Sequence, residues 1–541
     1  MILDRQLDVP PARSSTLNGW RAHLKSSAVR NNTAPFLLLF AIVVALQLAS
    51  GAYHAEFSGY PDEPAHYVTS LMVHDYITAL KPVAPMKFAL NFYYHYPKVA
   101  FGHWPPFFYL VQALWMSLFS VSRASVRLEV AFTTALLGFA VWREARNWFG
   151  WKAGVLAAIL TVCLPVVQIY TDEEMAETLL VFLCFLSAIY FARYLDSEQW
   201  RDCCWFGVFF ALAVLTKGNG WLLALMPPVA LVLTRKLRVL SRPSFWLAVL
   251  LIAAACIPWQ WTTMQLADRG WEGGSRPNLL YTMSALKQFV PVIIAMLGPI
   301  LSVLIGIGIV VRVLAPMFRK PVPSAPAVML ALILAVWIFH SLVPAGVEDR
   351  KMMIALPALV LFLFAGGFWI ANRLPLARWR NGLVALAGAL VFSLQAFAIP
   401  HVRHYGFIEA ARFITSDKAL HPATILVSSE SGGEGLLISE VAMHERRPGS
   451  VVVRGTKALA EVDWNGSNYH SKFSSADQIV EFLKSRHVDF VVLDTFAPEA
   501  HFLHNDLLRT AAEQSNHLHL IATFPAASSA VKGQIQIYRF E

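Results

Sequence analysis

Long apolar runs recur along most of this chain and constrain its fold more than any other feature. Between Ala34 and Ile399, runs of about 17 to 22 residues follow one another, each long enough to cross roughly 30 Å of hydrocarbon as a helix. Of the 541 residues, 56% are hydrophobic and only 15% are charged. The sequence therefore predicts a polytopic α-helical membrane protein and excludes an ordinary soluble enzyme.

The composition divides the chain into three parts. Residues 1–33 are polar and basic, which predicts a cytoplasmic N-terminal segment ahead of an uncleaved membrane anchor. Residues 34–400 form the membrane domain. Residues 401–541 carry polar residues at globular frequency, and short β-rich runs alternate there with helical stretches, so a soluble α/β domain is predicted. The glycine-rich stretch from Ser428 to Ser439 is interpreted as a loop of that domain.

Cysteines and charge exclude several functions. All five cysteines lie in or beside apolar runs, so neither a disulfide framework nor a cysteine-rich zinc site is expected. The formal net charge of +9 does not indicate nucleic-acid binding, because most Lys and Arg cluster in short loops between apolar runs. That placement is typical of cytoplasmic loops under the positive-inside rule.

The basic loops predict about eleven membrane spans and a C-terminal domain on the external side of a plasma or inner membrane, in the periplasm or outside the cell. The spans are expected near 35–53, 126–142, 153–170, 176–193, 203–216, 219–234, 245–262, 288–311, 327–343, 352–371 and 382–399. Successive spans cross the membrane in opposite directions. The basic loops all fall on one side only if the apolar run from Pro105 to Phe119 does not cross. It is predicted to lie along the membrane inside a long external loop, 54–126. The alternative, in which this run crosses and another span is misassigned, stays open.

This topology brings ionisable residues from five parts of the chain to one membrane depth. Charges at that depth are costly unless they line a wet cavity, so a shared functional cavity is predicted. Asp62 and Glu63 stand out, because Pro61 and Pro64 make their turn rigid just outside the first span. The others are His66, His103, Asp172, Glu173, Glu174, Glu177, Lys217, Asp349, Arg350 and Lys351. Singly, Lys217 also fits a snorkelling lysine, and Asp172 to Glu174 also fit a solvated turn.

The order of several short motifs resembles the membrane glycosyltransferases of the C-type fold, in particular the family 39 group that includes protein O-mannosyltransferases and the lipid A aminoarabinose transferase. The resemblance covers Ala34 to about Ile399. The matching features, in order, are Asp62-Glu63, His103-Trp104-Pro105-Pro106, the segment from Asp172 to Arg193, Leu215 to Gly218 (LTKG), Pro258-Trp259, and Arg350 to Pro357 (RKMMIALP). This chain departs from relatives that carry an acid and a lysine before the paired proline, since His103 and Trp104 stand there.

The resemblance implies transfer of a sugar from a polyprenyl-phosphate donor to an acceptor lipid, glycan or protein on the external face. The base that takes the acceptor's proton is then expected to be Asp62, and Glu63 to orient the loop or the acceptor. His66, His103, Asp172 and Glu173 are expected to contact substrate. Lys217, Arg350 and Lys351 suit the lipid phosphate, with Lys98 as an alternative ligand. A divalent ion held by Glu63 and His103 is also compatible with the residues, although their spacing is not a ligand motif. No other cofactor is expected.

Two other functions remain open at this point. A transporter or flippase of a lipid-linked sugar uses the same cationic cavity but needs no base, and it is often built from inverted repeats. No clear repeat is visible in the sequence. A non-catalytic membrane scaffold is the third reading, and it leaves the outward-facing charges unexplained.

Overall fold

The structure, a computed structural model, describes residues 16–79, 82–266, 278–373, 388, 404–416, 422–429, 431–462, 468–496, 502–526 and 533–541. The predicted span 382–399 and most of the predicted N-terminal segment 1–33 lie outside these ranges or lack described side chains. The other predicted spans and all predicted site residues lie within the described ranges.

The membrane region is built of helices that begin and end close to the apolar runs. They are α1 Thr16–Ser50, α2 Glu63–Ala79, α3 Pro85–His95, α4 Phe107–Leu118, α5 Arg123–Phe149, α6 Trp151–Cys163, α7 Pro165–Asp172, α8 Glu177–Ser197, α9 Trp200–Thr216, α10 Met226–Thr234, α11 Pro243–Leu266, α12 Leu279–Leu297, α13 Pro299–Met317, α14 Ser324–Leu342 and α15 Asp349–Ala371. Within the described ranges, eight helices are long and apolar enough to cross a membrane, or nine if α6 and α7 form one bent span. The protein is therefore a multi-pass membrane protein, as predicted.

Four predicted spans differ from the structure. Those predicted at 203–216 and 219–234 correspond to α9, which has 17 residues, and to the shorter helical stretch Gly218–Thr234, and neither is among these eight helices. The span 153–170 is bent by 58° between α6 and α7, where Pro165 begins a new helix. The single span predicted at 288–311 is wrong, because the chain breaks at Gly298 into α12 and α13. Gly298 has a φ of +83°, a backbone conformation that favours glycine, and Pro299 opens the next helix. The apolar composition on both sides hides this break.

Arg235 and Lys236, which follow α10, mark one face of the helix bundle. Lys236 donates to Asp196 at 2.8 Å and to Ser324 at 3.1 Å, and Arg235 donates to the carbonyl of Met317 at 3.1 Å. These contacts bring the ends of α8, α10 and α13 together with the start of α14. The starts of α8 and α15 and the end of α9 lie at the opposite ends of their helices, so they belong to the other face.

The segment between α1 and α5 forms three helices, α2 to α4. Helix α4 has 12 residues and rises about 18 Å, well short of the hydrocarbon thickness. It is too short to cross alone, as the prediction for 105–119 requires. The bounds of the external loop, 54–126, and of the three predicted parts of the chain remain predictions.

Beyond the membrane helices, the chain forms a five-stranded sheet in the order β2-β1-β5-β7-β6. Its strands are β1 Thr424–Ser428, β2 Val451–Arg454, β5 Phe490–Asp494, β6 Leu518–Pro525 and β7 Gln534–Phe540, and a separate pair is formed by β3 Ala460–Glu461 and β4 His470–Ser471. Strands β2, β1 and β5 are parallel, whereas β7 and β6 are antiparallel additions. The helices of this unit are α16 Phe407–Ser416, α17 Ser431–His444, α18 Ala476–Ser485 and α19 Leu503–Gln514, besides a single turn at Gly455–Ala458.

The glycine-rich stretch predicted as a loop is instead the first half of α17. Two of its glycines allow close packing: a Cβ on Gly433 would lie 2.0 Å from the Ser429 hydroxyl, and one on Gly435 would lie 2.8 Å from Cε of Lys98, whereas a Cβ on Gly432 would meet nothing within 4 Å. Tertiary contacts therefore override the low helix propensity of glycine here.

The sheet domain is fixed to the segment between α1 and α5 by a shared apolar core and by paired charges. The core includes Tyr67, Phe92, Phe407 and Leu437. Buried Arg123 forms an ion pair with buried Glu440, and Arg447 binds Asp75 at 2.6 Å. Glu56, fully buried, accepts N–H groups of Tyr405, Gly406 and Ile408 at 2.8 to 3.1 Å at the start of α16. We call these contacts between the sheet domain and the segment between α1 and α5 the junction.

Candidate active site

Asp62 lies in the turn that precedes α2. Its backbone carbonyl accepts the N–H of His66 at 2.9 Å, which starts the helix. Its carboxylate is half-buried and accepts no hydrogen bond from the part of the chain that the structure describes. A carboxylate that the fold leaves without a donor is available to a ligand or to a proton.

Charges converge on this carboxylate. Burial raises the pKa of Asp62 above its ordinary value, and three cations oppose that rise: Lys217 most, then Arg350, then Lys98. Glu177 adds to the rise. The carboxylate is therefore less acidic than a surface aspartate, yet it sits in a field that still favours its ionised form. Carboxylates whose pKa is perturbed by both burial and specific charges are common at functional sites.

Lys217 and Arg350 share one acidic partner. Lys217 caps the C-terminal end of α9, Arg350 lies in the first turn of α15, and Glu177 is the first residue of α8. The Lys217 ammonium donates to Oε1 of Glu177, and the same oxygen lies 3.7 Å from Nη1 of Arg350. We call Lys217 and Arg350 the cation pair, and Glu177 its carboxylate. The sequence places them 173 residues apart at most, and only the fold brings them together.

The guanidinium of Arg350 is held in place on two further sides. It lies over the ring of Tyr60 at 4.4 Å from the centroid, and its Nε is 2.5 Å from Glu348. Tyr60 is two residues before Asp62, so the cation–π contact ties the Asp62 turn to α15. The arrangement leaves the Nη groups of Arg350 directed toward Glu177.

Glu63, the neighbour of Asp62, is enclosed by backbone. It is fully buried, and its carboxylate accepts the N–H of Gly59 at 2.7 Å and that of Glu174 at 2.6 Å. Arg127, also fully buried, lies 3.8 Å away. Glu63 therefore joins the Asp62 turn to the segment between α7 and α8. Its expected role in orienting the loop stays a prediction, and this geometry is compatible with it.

The metal assignment to Glu63 and His103 finds no support in the geometry. Both Glu63 oxygens are engaged by backbone N–H groups, and no three-ligand group containing Glu63 or His103 exists among the described residues. The three-ligand group that does occur there is Glu56, His404 and Glu409, in the junction. Its buried member, Glu56, already accepts three N–H groups.

Three other predicted substrate ligands lie behind the site. His66 is 2% exposed, stacks on Trp104 with ring centroids 4.1 Å apart, and has Nδ1 2.9 Å from the Tyr109 hydroxyl. Burial holds the pKa of His66 well below its ordinary value, so the ring is neutral. Asp172 and Glu173 are 3% and 7% exposed. Burial, then the charge of Glu63, raises the pKa of Glu173 to about 9. These groups support the Asp62 turn from inside.

Lys351 is occupied by its own loop. It is 5% exposed, donates to the carbonyls of Ala345 and Gly346, and lies 3.5 Å from Glu348. The sequence could not show which of Arg350 and Lys351 faces the site. Adjacent residues of a helix point in different directions, and the fold decides which of them faces the site. His103 lies half-buried in the turn before α4.

Lys98 approaches Asp62 from the opposite, sheet-domain side. Its side chain packs against Gly435 of α17, and its charged neighbours are Arg454, Glu434 and Asp62. Burial, then Arg454, lowers the pKa of Lys98 to about 8. Its ammonium donates no hydrogen bond to any residue in the described ranges.

Two further residues of the site were not selected from the sequence, Glu177 and Tyr60. Glu177 stood among the outward-facing charges, but nothing in its spacing distinguished it from Glu173 or Glu174. Tyr60 carries no sequence signal beyond its place next to Pro61. Only the folded arrangement identifies both as contacts of Arg350.

Comparison with known proteins places this fold. Residues 103–261 match the family model described as dolichyl-phosphate-mannose-protein mannosyltransferase. The crystal structure of ArnT from Cupriavidus metallidurans in the apo state has a TM-score of 0.63 at 14% identity, with 93% of this chain and 98% of that chain covered. The same protein bound to undecaprenyl phosphate gives a TM-score of 0.60 at 14% identity, covering 93% and 97%.

An archaeal oligosaccharyltransferase, AglB from Archaeoglobus fulgidus, in complex with an inhibitory peptide and a dolichol-phosphate, has a TM-score of 0.52 at 14% identity, covering 86% of this chain and 69% of that chain. No curated protein sequence matches the chain. The chain therefore has the C-type fold of membrane glycosyltransferases, as the sequence resemblance implied. These structural similarities establish the fold alone, and any statement about function rests on the site.

Proposed function

We propose that this protein transfers a sugar from a polyprenyl-phosphate donor to an acceptor on the external face of the membrane, with Asp62 as the general base. The observation that carries the proposal is the half-buried carboxylate of Asp62, which has no hydrogen-bond donor in the described chain and is surrounded by Lys217, Arg350 and Lys98. The fold shared with ArnT, solved with undecaprenyl phosphate, supports the class of donor.

The cation pair, Lys217 and Arg350, suits the donor's phosphate. Lys217 uses one of its three N–H donors on Glu177, and Arg350 keeps its Nη groups beyond hydrogen-bond distance of the same oxygen. Fixed cations near the leaving group stabilise the charge that grows there during transfer. Lys351, being engaged by Ala345 and Gly346, is not assigned this role.

The reaction then proceeds as a single displacement. The acceptor's hydroxyl gives its proton to Asp62 as its oxygen bonds to the anomeric carbon. The bond from that carbon to the phosphate oxygen breaks, and its electron pair leaves with the polyprenyl phosphate. A positioned base contributes about 10² to 10⁴ in rate. Attack opposite the leaving phosphate inverts the configuration at the anomeric carbon.

A metal is not required by this scheme. Glu63 and His103 are not joined by a third ligand in the described chain, so no step is assigned to an ion there. Cation charge at the leaving phosphate comes instead from Lys217 and Arg350. Membrane lipids flank the site, and the acceptor is a lipid, glycan or protein; no feature of the site suits nucleic acid.

The rival function, transport of a lipid-linked sugar, requires the two sides of the site to move apart during alternating access. The junction opposes such movement on the external side, because buried ion pairs and a continuous apolar core hold the sheet domain to the segment between α1 and α5. A base without a protein partner is also unexplained by transport.

The experiment reconstitutes the full chain in liposomes with a panel of polyprenyl-phosphate sugars labelled in the sugar, and adds an extract of the external envelope as acceptor. Transfer predicts label covalently attached to an acceptor molecule. Movement of intact labelled lipid between leaflets without covalent transfer would contradict the proposal and support transport.

A further inference from the structure

Glu177 is the one member of the cation pair and its carboxylate to which the mechanism assigns no role. Its side chain is 4% exposed, and it places an anion where Lys217 and Arg350 converge. A carboxylate at the point proposed for the donor's phosphate weakens phosphate binding. Its presence there therefore calls for a physical reason other than substrate affinity.

The hydrogen bonding of Glu177 is incomplete. Oε1 is approached by both cations, whereas Oε2 is buried and has no hydrogen-bond partner in the described chain. A buried, unsatisfied carboxylate oxygen costs stability, and Glu177 shares this cost with other buried carboxylates of the described chain, including Glu440 of the junction. In the same protein, buried Glu434 accepts from Arg454 and twice from Thr456. What distinguishes Glu177 from these other carboxylates is its place between the two cations of the proposed phosphate site.

The charge of the bound lipid changes during the reaction. The donor is a phosphodiester and carries one negative charge, but the departing polyprenyl phosphate is a monoester. A phosphate monoester carries about −1.5 to −2 at pH 7, because its second pKa is about 6. Lys217 and Arg350 alone would therefore hold the product more tightly than the donor. Tight product binding slows turnover when release limits the rate.

We infer that Glu177 is a release carboxylate, which competes with the lipid phosphate for Lys217 and Arg350 and lowers the site's preference for the monoester product over the diester donor. This inference rests on the proposed function, because it takes the cation pair as the donor's phosphate site. In the empty site Glu177 holds the two cations in place; with lipid bound, its charge repels the additional negative charge of the product.

Glu177→Gln removes this charge and keeps the shape of the side chain. The amide oxygen can still accept from Lys217, so the helix start and its packing are preserved. Glu198→Gln is the control, because Glu198 pairs with a different arginine, Arg242, and caps the opposite end of α8. Screening by water makes its charge less effective.

The experiment measures binding of two probes to the full chain in nanodiscs by titration calorimetry, with empty nanodiscs subtracted. Farnesyl phosphate stands for the monoester, and methyl farnesyl phosphate for the diester. The wild type is expected to bind both within about threefold of each other. In Glu177→Gln the monoester should bind at least about tenfold more tightly than in the wild type, with a smaller gain for the diester, and Glu198→Gln should resemble the wild type.

Unchanged or weaker monoester binding in a Glu177→Gln protein that melts at the wild-type temperature would overturn the inference. A separate variant, Lys217→Gln, tests whether the cation pair is the phosphate site at all. If it binds both probes as the wild type does, the cation pair is not the phosphate site, and the proposed donor site fails together with the inference. If Lys217→Gln loses binding while Glu177→Gln gains none, only the role of Glu177 is wrong.

Discussion

The junction and the candidate active site are both rich in charge, but they use it differently. In the junction, Glu56 accepts three backbone N–H groups, and Arg123 and Arg447 each face a carboxylate. In the site, the carboxylate of Asp62 and the ammonium of Lys98 have no hydrogen-bond partner in the described chain. Charges paired with one another or with backbone hold the two parts of the protein together, whereas the carboxylate of Asp62 and the ammonium of Lys98 are available for chemistry.

Breaking the junction should produce the largest change in stability. Glu440→Gln leaves buried Arg123 without its counter-ion, which costs about 3 to 5 kcal/mol in the free energy of unfolding. The measurement is the thermal unfolding of the purified full chain, followed by proteolysis to see whether the sheet domain separates. Glu541→Gln, which removes an exposed partner of Arg539, is the control and should change little.

An unchanged melting temperature in Glu440→Gln would mean that the apolar core alone fixes the sheet domain. The contrast between the paired charges of the junction and the carboxylate of Asp62 would then lose its energetic basis.

Lys217→Gln in the site should act mainly on function, because Arg350 remains 3.7 Å from Glu177 and limits the loss of stability. It removes a charge-assisted contact to the donor phosphate, worth about 1.5 to 3 kcal/mol, so donor affinity should fall by about 10- to 100-fold. Donor titration of the reconstituted protein checks this. A loss of stability comparable with that of Glu440→Gln would place Lys217 among the structural charges instead.

Lys98→Gln should have the smallest effect, a shift in pH dependence. Below about pH 8 Lys98 is a cation, and it lowers the pKa of Asp62. Its removal raises that pKa, so the low-pH limb of kcat/KM moves to higher pH. Lys98→Arg should keep the wild-type limb. An unchanged profile, or a shift to lower pH, would show that Lys98 does not act on the base.

The sequence predicted those features that depend on local pattern. Apolar runs located most spans, and the β-rich runs correspond to β1, β2, β5 and β7. The break at Gly298 was missed, because apolar residues continue on both sides of it. The glycine-rich start of α17 was taken for a loop, since its helix depends on packing against Ser429 and Lys98.

For the site, the sequence identified the ends of the helices that meet there but not the direction of their side chains. Asp62, Lys217 and Arg350 converge, whereas His66, Asp172, Glu173 and Lys351 are buried. Pairings such as Arg123 with Glu440, 317 residues apart, carry no signal in a single sequence. Whether a charged group finds a partner is a property of the fold.

The most direct test of the account is transfer by Asp62→Asn compared with the wild type, measured in a single turnover together with donor binding. Asparagine keeps the size of the side chain and cannot accept the proton. If Asp62 is the base, transfer falls by about 10² to 10⁴ while the dissociation constant of the donor changes little. Wild-type transfer rates in Asp62→Asn would contradict the assignment of the unsatisfied carboxylate as the base.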